Sequence, residues 1–207
     1  GGLANVVITF SKTVKDQPDI NKCRICGLFG GQNDTRVFVS GNPDQPNCDW
    51  QSGLYDPSYF PDTGYTRIGS DASAIMGYAR QYDTQIVLKE DGQDAKQYLR
   101  TFALDDNAKP AYSLRQGAEA AGAVSPHAID VLNGTPYYLS PQGVMGIYGT
   151  YVTEYRTISG VSQRINPKLC RENLSQATAC VWDGKYYLAV GTHCYVADSR
   201  QMTDGIP

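Results

Sequence analysis

Four segments, each an apolar run, a short polar turn and a second apolar run, recur about every fifty residues. Two of the turns are Asn-Gly and Asp-Gly, and the chain carries fifteen Tyr and twenty-one Gly against three Met. Together these predict an all-β fold, a β-propeller or propeller fragment of about four antiparallel blades. Blade periods of about 40 to 50 residues belong to propellers, whereas helical repeats would show a 3.6-residue apolar period that is absent here.

The segments run from Cys23 to Gly41, Ser73 to Asp91, Ala128 to Gly149 and Ala177 to Ser199. The centres of their second apolar runs, Phe38, Val87, Tyr138 and Tyr187, stand 49, 51 and 49 residues apart. Asn133-Gly134 and Asp183-Gly184 favour two-residue type I′ turns, because both residue types accept the positive φ such a turn demands. Asn33-Asp34 and Asp83-Thr84 hold the same place in the first two repeats with weaker turn chemistry. In the third and fourth repeats, turns at Pro141–Gly143 and Gly191–His193 bring a third strand back. A fourth strand per blade is expected from the linker that follows. Short helix is expected in Asp94–Gln97 or near Ile165–Asn173. The chain therefore reads as one propeller-like domain over 1–207, with repeats near 23–72, 73–122, 123–172 and 173–207 and a long insertion loop at 40–71. Either a small closed ring or an arc satisfies this pattern. The arc is preferred, because the opening Gly1-Gly2 without an initiator Met suggests a larger gene product.

Composition narrows the function. A net charge of −3, a pI near 5.3 and no cluster of Lys and Arg argue against nucleic acid as a partner. No stretch approaches the roughly 20 apolar residues of a membrane-spanning helix. Six cysteines, Cys23, Cys26, Cys48, Cys170, Cys180 and Cys194, are too sparse for a stapled secreted domain. Cys23 and Cys26 have the spacing of half a zinc site, but no second pair completes a tetrahedral set. Reduced, buried thiols are expected, and no cofactor.

The stretch Ser40 to Asp71 holds four Pro, four Gly and five Asp interleaved with aromatic residues. Three readings stay open: an ordered insertion whose aromatics plug a blade interface and whose Asp and Asn cap turns; a recognition surface anchored by Trp50, Tyr55, Tyr59 and Phe60; or a calcium site drawn from Asp44, Asp49, Asp56 and Asp62.

Catalysis is disfavoured. His127 and His193 lie at a strand start and in a hairpin turn, and no nucleophile elbow, zinc helix or phosphate loop is present. Glu90-Asp91, Asp105-Asp106 and Glu119 are the carboxylates a glycoside hydrolase would draw on. Adjacent carboxylates on a strand point to opposite faces, and these pairs read as solvated turns.

The run from Arg36, with its SGNPD…DW…SG…DP string, and the later segment ATACVWDGKYYLAVGTHCYVADSRQ resemble a family of bacteriophage virion proteins. These are tail or head–tail structural components of phages and prophages of Gram-positive, often gut, bacteria. The resemblance covers about Arg36 to Gln201 and is weaker toward propeller-type accessory proteins in general. It implies a non-catalytic virion subunit. Its partners would be other virion proteins or the remainder of its own chain, with a glycan- or receptor-binding module as the alternative. The family brings no catalytic residues to carry over.

Overall fold

The computed structural model describes residues 18–201 apart from 32, 93, 95 and 151–155. Four antiparallel sheets follow one another along the chain as the blades of a four-blade β-propeller. The first blade holds β1 (Ile25–Phe29), β2 (Arg36–Ser40), β3 (Cys48–Gln51) and β4 (Tyr65–Arg67). The second holds β5 (Ile75–Gln81), β6 (Thr84–Lys89), β7 (Gln97–Leu104) and β8 (Pro110–Gln116). In the third are β9 (Ile129–Leu132), β10 (Thr135–Ser140), β11 (Gly143–Tyr148) and β12 (Thr157–Gly160). The fourth has three strands among the described residues: β13 (Thr178–Trp182), β14 (Lys185–Val190) and β15 (His193–Asp198). The first strands of successive blades lie side by side, β1 with β5, β5 with β9 and β9 with β13.

The two strong turn signals form as their chemistry demands. Asn133 and Gly134 have φ of 51° and 77°, and Asp183 and Gly184 have 47° and 70°. The weaker two differ from expectation. In the second blade the turn is Tyr82-Asp83, with Tyr82 at φ 54°, and Thr84 already begins β6. In the first blade β1 and β2 are joined by residues 30–35, so Asn33-Asp34 sits inside a longer connection.

The expected insertion loop at 40–71 is not wholly a loop, because it supplies β3 and β4. These strands span four and three residues, too short for period-two alternation to stand out between prolines. Between them Asp56 caps a turn, its Oδ1 accepting the Ser58 amide at 3.1 Å. Among the described residues helix is confined to α1 (Asn166–Leu169) and single 3-10 turns, with Pro167 in the first turn of α1. Gln97, expected in helix, begins β7.

Blades stack face to face, so interior strands are buried on both sides. All six residues of β6 are buried, which is why that strand reads as a nearly continuous run. Neighbouring tyrosines divide between the faces: the Tyr137 ring packs 5.7 Å from that of Tyr186 in the fourth blade. Tyr138 points the other way and donates to the Ala121 carbonyl at 2.7 Å. Among the described residues no helix is long and apolar enough to cross a membrane.

Candidate functional site

The aromatic residues proposed as a recognition surface are not equivalent once folded. Trp50 lies in β3 at 6% exposure, so it serves as packing and does not present a ring to a partner. Its register partners are Val39 and Tyr65, and burial in β3 does not alternate, since Cys48, Asp49 and Trp50 are all buried. Tyr55, by contrast, is 72% exposed and held at φ 53°. It joins Leu54, Phe102 and Leu104 around an open cleft where the first two blades meet. Tyr59 is exposed and Phe60 half-buried. Of the four, then, Tyr55 and Tyr59 offer aromatic surface.

The calcium candidates are dispersed. Asp44 pairs with Lys22, Asp56 caps its own turn, and Asp49 is committed to an ion pair. No three His, Cys, Asp or Glu side chains among the described residues come together as a metal site.

Asp49 belongs to a polar joint that sequence reading did not anticipate. Its Oδ2 accepts from Arg100 Nη2 at 2.5 Å and from the Tyr78 hydroxyl at 3.2 Å. A second guanidinium nitrogen of Arg100 donates to Gln85 Oε1 at 2.6 Å, and the Phe38 ring lies 4.2 Å from the guanidinium carbon. Asp49 and Arg100 are 1% and 2% exposed. Burial pushes the Asp49 carboxyl above its ordinary value, with the Arg100 charge and hydrogen bond acting in the opposite sense. The pair joins the first blade to the second. Beside it, the buried Lys89 ammonium donates to the Ile68 and Ser70 carbonyls and to Asp94, each at 2.8 Å. These buried ionisable groups act as fasteners, each spent on a named partner.

A cavity of about 430 Å3 opens between the third and fourth blades. Its walls are mainly apolar, with Leu132, Val144 and Leu188 beside Tyr137, Tyr186 and Tyr195, and Gln163 and Arg164 also line it. The tyrosine hydroxyls are engaged with protein. Tyr186 donates to the Ala128 carbonyl at 3.3 Å and Tyr195 to Glu172 Oε1 at 2.5 Å. That last bond raises the Tyr195 phenol to about 12. The cavity suits an apolar body, and at its wall the Tyr195 hydroxyl meets the Glu172 carboxylate.

Of the carboxylates considered for catalysis, Asp91 and Asp105 each accept backbone amides. Asp105 Oδ1 accepts the Asn107 and Lys109 amides at 2.9 and 2.8 Å, and Asp91 Oδ1 accepts that of Gly122 at 2.7 Å. His193 Nδ1 lies 3.2 Å from Glu172 on the surface. The His127 amide donates to Ser125 Oγ at 3.3 Å.

The thiols correct an expectation. All six are free, but only Cys48 is buried, while Cys26, Cys170, Cys180 and Cys194 are exposed. Cys180 and Cys194 do sit in apolar strands. Among the described residues, however, no blade lies over their side of the fourth blade, and Trp182 and Val196 there are 69% and 52% exposed. No protein-family model matches the chain, and no curated protein matches it.

Proposed function

We propose that the chain is a non-catalytic structural component of a phage or prophage particle, part of a tail or head–tail assembly. The observation that carries the structural half of this reading is the sheet face of the fourth blade that no blade covers among the described residues, with Trp182 69% and Val196 52% exposed beside the Lys185–Asp198 ion pair. Exposed apolar surface rimmed by polar groups marks interaction sites. The ionisable groups of the blades support the same reading, since Asp49, Arg100, Lys89 and Asp105 are consumed in joints and turns. The virion setting comes from the resemblance over Arg36 to Gln201. Its partners are then other virion proteins or further sequence of its own chain. Peptide mass spectrometry on gradient-purified particles from an induced lysogen tests it: peptides of this chain should travel with the particles. Their confinement to the particle-free fractions would overturn the reading.

A second reading, a glycan- or receptor-binding propeller module, is favoured by the cavity between the third and fourth blades, whose lining includes three tyrosines and Arg164. A glycan-array signal abolished by Arg164→Ala would move the assignment there. Hydrolysis of chromogenic glycosides, lost on carboxylate substitution, would instead make the chain an enzyme.

A further inference from the structure

We propose that the uncovered face of the fourth blade docks, head to tail, on the outward face of the first blade of a second copy of this chain. The inference deepens the structural reading above and rests on it only for its biological setting.

Strand register makes the third and fourth blades superimposable at an offset of fifty residues, since β9–β10 and β13–β14 turn at Asn133-Gly134 and Asp183-Gly184. The face that the third blade turns toward the fourth carries Leu132, Tyr137 and Val144, at 2%, 3% and 6% exposure. The same positions in the fourth blade are Trp182, Tyr187 and Cys194, with Trp182 69% exposed and Cys194 exposed. The fourth blade thus repeats the aromatic and small apolar positions of an inter-blade face, adds the Lys185–Asp198 ion pair to it, and among the described residues no blade covers it. Asp130, whose carboxylate accepts the Val181 amide across the internal joint at 2.7 Å, is replaced at the equivalent position by Cys180. The open face therefore has no carboxylate to bury at that point.

The complementary face lies at the other end of the chain. Inside the molecule, the fourth blade covers the third with Val181, Tyr186 and Leu188. Register places Leu28, Val37 and Val39 at those positions in the first blade. Leu28 is 55% exposed and both valines are half-buried. Leu28 and Trp182 are exposed together, so within one chain the two faces do not cover each other. A second copy supplies the missing face and continues the same blade-on-blade stacking from molecule to molecule. Such a contact joins unlike surfaces, and it builds rings if the rotation closes and filaments if it does not.

Sedimentation velocity of the chain, from micromolar to hundreds of micromolar, tests this with two variants at exposed positions, Trp182→Asp and Leu28→Asp. Circular dichroism and melting establish that both fold. The wild-type chain should gain mass with concentration, and each variant alone should remain monomeric. An equimolar mixture of the two should form a one-to-one dimer, because one intact face of each kind survives. A short bismaleimide should link Cys26 of one copy to Cys180 of the next, and Cys26→Ser should abolish the product. A wild-type chain monomeric throughout, a mixture that does not associate, or a Cys26–Cys180 link formed within a monomer would each overturn the proposal; the last would mean that the ring closes on itself. Assembly in solution by a chain absent from particles would leave this inference standing and remove the virion setting. A monomeric chain found in particles would do the reverse.

Discussion

The joint between the first and second blades and the joint between the third and fourth solve one packing problem with opposite chemistry. At the first, Asp49, Arg100, Gln85 and Tyr78 form a connected polar set, flanked by the rings of Phe29, Phe38 and Tyr112 with centroids 5.5 to 6.5 Å apart. At the other, Leu132, Leu139, Leu188 and Val190 pack with Tyr137 and Tyr186 around a cavity. Desolvating a charge is expensive, and the return depends on every partner being in place, so a buried ion pair fixes orientation more than it adds stability. Apolar contact is forgiving of shape and has no preferred direction. The polar joint should therefore be brittle toward loss of one partner and the apolar joint graded in its response.

Removing Arg100 should have the largest effect. Arg100→Leu strands the Asp49 carboxylate and should destabilise the fold by about 3–5 kcal/mol, read from urea unfolding. The double substitution Asp49→Leu with Arg100→Met should recover most of that loss, and if it does not, the joint is held by the rings and not by charge. In the apolar joint Leu188→Ala should cost about 3 kcal/mol, by lost burial and an enlarged cavity. A cost as large as that of Arg100→Leu would erase the contrast between the joints. Gly184→Val imposes a β-branched residue at φ 70° in the turn of the fourth blade and should cost about 1–3 kcal/mol. An unchanged melting temperature would mean that this turn does not hold the blade.

The polar joint also predicts a pH dependence. Because burial raises the folded-state value of Asp49 above its ordinary 3.8, the folded chain keeps that proton longer than the unfolded chain. Its contribution is then most favourable below 3.8 and is lost as pH rises through the raised value. Melting curves of Asp49→Asn should lack that slope, and a slope equal to wild type would assign it to another group. The smallest effect separates the exposed thiols from those held back by burial. At mildly alkaline pH the four exposed cysteines should react quickly with an aromatic disulfide. Cys23 and Cys48, each pushed by burial to about 11, should lag. Fast reaction of all six would mean that the first blade opens readily.

How much of this was legible beforehand differs from element to element. The hairpins of the third and fourth blades were readable because Asn-Gly and Asp-Gly act within two residues. The third and fourth strands of the first blade were missed, because four- and three-residue strands between prolines leave no period to detect. For Trp50 the residue type left an interface plug and a recognition anchor both open, and only the folded structure shows it buried. Tyr55 was found by the same reasoning and is indeed exposed. The Asp49–Arg100 pair joins positions 51 residues apart in different sheets, and no local pattern links them.

The sequence by itself determined the blade period and the tightest turns, because propensity, alternation and positive φ are properties of neighbouring residues. Only the tertiary structure decided which face of each blade is covered, which charges meet inside and which thiols stay open. Those outcomes depend on how sheets fifty residues apart are stacked, and a strand carries the same alternation whether or not another blade lies over it.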